Sequence, residues 1–274
     1  FGYLAVAIVF AIVCVLLANW QLARQDEKKH EIALVQGNYD REPIALEEAL
    51  PTLDAFDEAD KWVPVTMTGT YLIDEELLVR NRPRSGQPGF EQLLPLQLAD
   101  GSVFIVDRGW LPTGNEQDLP DAVPSPPTGK VTVVARLKAG EPALAGRGAA
   151  EGQIATVHLS ELQERLDLPV YTGAYGLLES ETPPPADEAP LAALKPVLDE
   201  GPHLSYAFQW FIFGLLGFAF LAYAVREEYR HLNADDPEER ERAAERERKR
   251  VAKRSDADVE DELLDGATEH EAVR

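Results

Sequence analysis

The side chains best suited to chemistry stand where an apolar run begins. Gly201 to Phe213 reads GPHLSYAFQWFIF, and no charged residue follows until Arg226. A histidine one turn before an uncharged helix has three roles open to it. It can bind haem iron as an axial ligand, carry a proton at a membrane edge, or hydrogen-bond water and headgroups. Residue type alone leaves all three open. At about 100° per residue, His203, Tyr206, Ala207, Trp210, Gly214 and Gly217 share one helical face. Glycines on such a face allow a second helix or a flat ligand to come close.

Other candidates are weaker. VDRGW, Val106 to Trp110, sets an acid beside a base, but adjacent strand residues point to opposite faces. Asp107 and Arg108 are therefore not a ready acid–base pair, and the segment reads as a turn or strand end with Gly109 for unusual dihedrals. There is no G-x-S-x-G, Walker loop or H-E-x-x-H. The histidines at 30, 158, 203, 231 and 270 have no zinc-site spacing. A membrane-anchored enzyme would need Asp107, Arg108 and His158 gathered in one pocket. The single cysteine, Cys14, lies in an apolar run and excludes an intrachain disulfide. A net charge of −22 argues against nucleic acid, whose phosphates need clustered cations.

The elements that position His203 are two apolar spans. Tyr206 to Val225 is uncharged, and about twenty residues at ~1.5 Å rise cross a ~30 Å hydrocarbon core. Phe1 to Ala23 is also uncharged. It is longer than a signal-peptide core and ends in Asn-Trp-Gln, so it reads as a retained transmembrane helix with Trp20 in the interfacial belt. Gln21 and Arg24 share a face at its end, and Arg24 can snorkel. The division is residues 1–23, first span; 24–205, a mainly-β (α+β) domain; 206–225, second span; 226–274, a charged tail, partly disordered.

Between the spans, alternation predicts strands over Trp62–Leu72, Leu77–Arg82, Phe90–Leu98, Ser102–Trp110 and Val131–Ala139, with shorter ones near Ile154 and Pro169–Ser180. Asp74–Glu76 reads as a hairpin turn, Pro95 as an edge or bulge, and Ser160 as the cap of a short helix to Leu166. Glu238 to Arg254 reads as a helix with opposite charges at i,i+4. Basic residues after the second span, from Arg226 to Arg254, favour a cytoplasmic C-terminus, with the acidic β domain outside the cytoplasmic membrane.

Three ordered blocks carry a family resemblance. They are Trp20-Gln21-Leu22-Ala23-Arg24 with Lys28; Gly69 to Tyr71, Arg80 to Phe90 and Val106 to Trp110; and His203 to Phe211, H-x-x-Y-A-x-Q-W-F. With them the chain resembles the Surfeit-locus proteins, membrane assembly factors of cytochrome c oxidase, to about Tyr229. Ala18 stands where that family often has Gly, and the tail lies outside the resemblance. The resemblance implies a cell-membrane protein that is not an enzyme and that aids haem a insertion into an a-type haem-copper oxidase or stabilises that oxidase, with haem a held stably or in transit. His203 would be the iron ligand, and Trp20, Gln21, Arg24, Tyr206 and Trp210 would shape a two-helix site where His203 and Arg24 face each other or a shared ligand. Expected partners are oxidase subunits, a cytochrome bc–oxidase supercomplex and the bilayer. The competing expectation is a structural accessory subunit of the finished oxidase or respiratory supercomplex that binds no haem.

Overall fold

A computed structural model describes residues 2–115, 118–144, 146, 150–186 and 188–252. The chain forms two compact units, one of residues 1–24 and 202–274 and one of residues 25–201. The expected disorder of the acidic C-terminal residues lies outside the described residues.

The first unit is built on two long helices. Helix α1 runs Gly2–Asn38, of which residues 1–24 belong here. Both it and the later helix that begins at His203 are long and apolar enough to cross a membrane, with mean hydropathies of 2.5 and 1.8 over their best windows.

The second unit holds a closed β-barrel. Its elements in order are β1 Ile44–Ala45, α2 Leu46–Ala49, β2 Pro64–Tyr71, β3 Leu77–Val79, β4 Gly89–Leu98, β5 Val103–Pro112, β6 Lys130–Ala139, β7 Gln153–Ile154, α3 Leu159–Leu166 and β8 Ala174–Thr182. The hydrogen-bonded order β2-β6-β8-β5-β4 closes because β4 also pairs with β2, through Gly69↔Leu98 to Tyr71↔Leu96. Closure removes the open edges that such strands would otherwise expose. Strand β1 extends the sheet beside β2, and β3 and β7 extend it beside β4.

Alternation along each strand sorts side chains into two layers. Val65, Met67, Leu94, Leu96, Phe104, Val106, Val133 and Ala135 form one cluster with Leu46 of α2 and Leu50 just after it. Leu93, Val103, Ile105, Tyr175 and Leu177 face the other way, against Leu159 and Leu162 of α3. Phe104 meets Tyr171 edge-on at 5.8 Å between ring centroids in the first layer.

Two local expectations change. Asp74–Glu76 is not a hairpin turn: Ile73–Glu75 is a 3-10 turn, and β2 and β3 both pair with β4 rather than with each other. Strand β4 is long enough to serve both, and Pro95 sits where its partner changes from β3 to β2. There a missing N–H costs no ladder bond with either. The residue before α3 is His158, which makes no side-chain cap, and Ser160 lies inside the helix.

After β8, α4 runs His203–Leu232 and α5 runs Pro237–Ala252. Pro202 precedes α4, where its fixed φ and missing N–H suit a helix start. The break at Asn233–Asp236 coincides with Asn233 donating back to the carbonyl of Tyr229. Helix α5 is held by side-chain pairs such as Arg242–Glu238 and Lys249–Glu245 at i,i+4.

Candidate functional site

Helices α1 and α4 meet along a seam spaced alternately by four and three residues. On α1 the seam is Ala7, Ala11, Cys14, Ala18 and Gln21; on α4 it is His203, Ala207, Trp210, Gly214, Gly217 and Leu221. That 3.5-residue repeat is the pattern of a left-handed pair. The run is antiparallel. A Cβ built on Gly214 would lie 3.5 Å from the Cβ of Cys14, and one on Gly217 would lie 2.8 Å from the Phe10 ring. Ala18 is 0% exposed and Ala207 1%, so an alanine in place of glycine at residue 18 is accommodated within a closed seam.

At the polar end of the seam, His203 Nδ1 lies 2.9 Å from Gln21 Oε1. An amide oxygen only accepts, so Nδ1 carries the proton. The lone pair is then on Nε2, the nitrogen that a metal or a donor could use. The glutamine thus fixes both tautomer and ring orientation, as outer-shell partners do for ligating histidines.

His203 meets Gln21, three residues before Arg24. Trp20 and Tyr206 are 57% and 46% exposed and stand off the seam. Trp210 is half-buried and meets Phe213 edge-on at 5.8 Å. The structure therefore brings Gln21 and His203 together and leaves Trp20, Tyr206 and Arg24 around them on outward surfaces. His203 itself is partly exposed at the end of the pair. A macrocycle has no room between the helices, because Ala18 and Ala207 close that space.

The barrel holds polar residues of a different kind. A bulge at Gln92/Leu93 leaves Arg108 as the extra residue of β5, beside Gly109 at φ +134. A Cβ on Gly109 would lie 2.5 Å from the Leu191 carbonyl, whose strand-like segment pairs with Trp110. Arg108 donates to Gln92 Oε1 (2.9 Å), the Pro124 carbonyl (3.0 Å) and Glu181 (2.7 Å). Tyr71 donates to the other oxygen of Glu181 at 2.9 Å, and its own hydroxyl is held in the protonated form by burial and by that carboxylate.

Asp107 turns to the opposite layer, toward Glu91 and Tyr175. Burial, then the charge on Glu91, pushes its carboxyl up to about 8, against a bond from the Gly109 amide that lowers it. Nearby, Arg82 bridges Glu91 (2.9 Å) and Glu141 (2.5 Å). His158 is apart from both, near Glu161 at 4.0 Å. Asp107, Arg108 and His158 are not gathered in one pocket, so that candidate enzyme site does not form.

The second block reads as structural. Trp110 Nε1 donates to the Arg82 carbonyl (2.6 Å), and Arg84 lies over the Trp110 ring and donates to the Ala192 carbonyl at 2.6 Å. A Cβ on Gly89 would collide with Trp110. The Arg80–Phe90 loop and VDRGW thus lock one another in place. The sequence reading missed Glu181 as the counter-charge of Arg108. It is separated by 73 residues, and its strand carries a second acid, Glu179, so no local signal singled it out.

These features define a class: a β-barrel carried in one chain between two apolar helices that pair through small residues and end on a histidine–glutamine contact. The SURF1 family model matches residues 8–215. The chain is 32% identical over 247 residues to an uncharacterised SURF1-like protein of Mycobacterium tuberculosis, covering 86% of this chain and 89% of that one. A SURF1-like protein of Rickettsia bellii is 27% identical over 76% of this chain and 84% of its own. The cytochrome oxidase assembly protein Shy1 of Saccharomyces cerevisiae is 29% identical over 40% of this chain and 28% of its own. The chain belongs to the SURF1 family.

Proposed function

We propose that this protein is a membrane-anchored assembly factor for an a-type haem-copper cytochrome c oxidase, presenting haem a to the oxidase from the α1–α4 pair. The observation that carries this reading is the Gln21–His203 contact, which directs the lone pair to Nε2 at the polar end of two membrane-length helices. Family membership and the yeast relative, a cytochrome oxidase assembly protein, support a place in oxidase assembly. Haem a bound there would supply the redox centre that the oxidase needs. The chain's part is to hold Nε2 in place and to offer Tyr206, Trp210 and Trp20 as apolar surface beside it.

In this reading the barrel lies outside the cytoplasmic membrane, since the basic residues following α4 favour the inner face. The acidic barrel surface then meets oxidase subunits or a cytochrome bc–oxidase supercomplex from the outside.

The closed seam favours a second reading, an accessory subunit that binds no haem, because no space for a macrocycle lies between Ala18 and Ala207. Cells lacking the protein, complemented with wild type or His203→Ala, separate the two. The assembly reading expects membranes with wild-type protein to contain haem a-loaded oxidase and His203→Ala membranes to contain less. Equal haem a with both, alongside stable co-purification with finished oxidase, favours the accessory subunit.

A further inference from the structure

An apolar groove of about 420 Å³ lies on one side of the helix pair, lined chiefly by Val6, Phe10, Phe213, Leu216, Gly217 and Phe220. Gly217 opens it, since even a methyl there would press on the Phe10 ring, 2.8 Å away. We propose that this groove receives the isoprenoid tail of an a- or o-type haem whose iron is offered to His203, an inference that rests on the haem-presenting reading above.

Three observations support this occupant. The groove lies on the same side of α4 as Tyr206, because 206, 213, 217 and 220 fall on one stripe at helical spacing. Phe213, in its wall, is in edge contact with Trp210, so aromatic surface continues from the groove toward the His203 end. A second groove of about 360 Å³, lined by Ile8, Ile12, Val15, Leu16 and Phe218, opens on the other side and lacks that continuation. Finally, the distance fits. Phe213 and Phe220 lie about 15–25 Å along the helix from His203 at 1.5 Å per residue, the reach of a three-isoprene chain extending from a porphyrin edge.

A tail in a bilayer already sits among hydrocarbon, so the groove adds close packing rather than escape from water, and a modest preference is expected. The test is titration of the full chain in detergent with haem a, haem o and haem b, read by Soret absorbance. Haem o carries the tail without the formyl group, and haem b carries neither. Wild type is expected to bind haem a and haem o about tenfold more tightly than haem b. Gly217→Leu fills the groove from within, and Val6→Trp closes it from its exposed rim without touching the seam. Both are expected to bring haem a and haem o down to the haem b affinity while haem b is unchanged, which also shows that the variants remain folded. Partition of tailed haems into detergent is the same for all variants, so the comparison between proteins is decisive. Equal affinity of wild type for the three haems, or a tail preference that survives both variants, overturns the groove proposal and leaves the His203 reading standing. Failure of wild type to bind any haem overturns both.

Discussion

Arg108 and Glu181 form an ion pair of 2.7 Å whose side chains are 0% and 4% exposed, in a barrel filled mainly by aliphatic and aromatic residues. Removing one member of such a pair leaves a buried charge without its counter-charge, held only by neutral hydrogen-bond partners. Arg108→Ala or Glu181→Ala is expected to destabilise the barrel by about 3–5 kcal/mol. The double variant is expected to lose less than the sum, because the second deletion removes the orphaned charge. Denaturant unfolding followed by tryptophan fluorescence measures all three; additive losses contradict the coupling.

Asp107 gives the barrel a pH-dependent stability. Its folded pKa is raised to about 8, above the ~3.9 of an unfolded aspartate. Between those values the folded form holds a proton that the unfolded chain has released. Stability is therefore fully present below pH ~4 and declines as pH rises toward 8. Asp107→Asn keeps an oxygen for the Gly109 amide and removes the titration. At pH 7.5 it is expected to be more stable than wild type, on the order of 1–3 kcal/mol, with the gap closing toward pH 4. A gap that widens on acidification contradicts the assignment.

The barrel's strands were legible in the sequence because each side chain faces either the lumen or the outer layer, and that alternation is visible residue by residue. Closure was not. It depends on β4 turning from β3 to β2 at Pro95, a long-range pairing that no local pattern encodes. The histidine end of α4 was legible from its position before an apolar run. Its partner was only half legible: Gln21 and Arg24 lie on one face of α1, and the seam's spacing, not charge, selects Gln21. Reading Arg108 as a turn residue failed because Glu181 comes from a strand distant in sequence.

The seam can be checked covalently. A Cβ on Gly214 lies 3.5 Å from the Cβ of Cys14, within the range of a disulfide. Gly214→Cys is expected to cross-link α1 to α4 under mild oxidation, so that chains cleaved between the helices migrate together until reduced. Leu215→Cys, on the exposed face, is expected to give no such link. Cross-linking by Leu215→Cys but not Gly214→Cys contradicts the pairing.

Gln21 is expected to act through the histidine it orients. Gln21→Leu removes the acceptor for Nδ1–H and frees the ring, which is expected to weaken haem a binding about 10- to 100-fold without abolishing it. Gln21→Asn, a shorter amide, is expected to recover part of that loss. Equilibrium titration in detergent reads both, and unchanged affinity in Gln21→Leu shows that the contact is only structural.

The most direct measurement is the absorption spectrum of the purified full-length protein loaded with haem a, compared with that of His203→Ala. The account predicts a Soret and α-band set for wild type characteristic of histidine-ligated haem a, and its loss in His203→Ala with barrel stability unchanged. The same ligated spectrum in both proteins contradicts it.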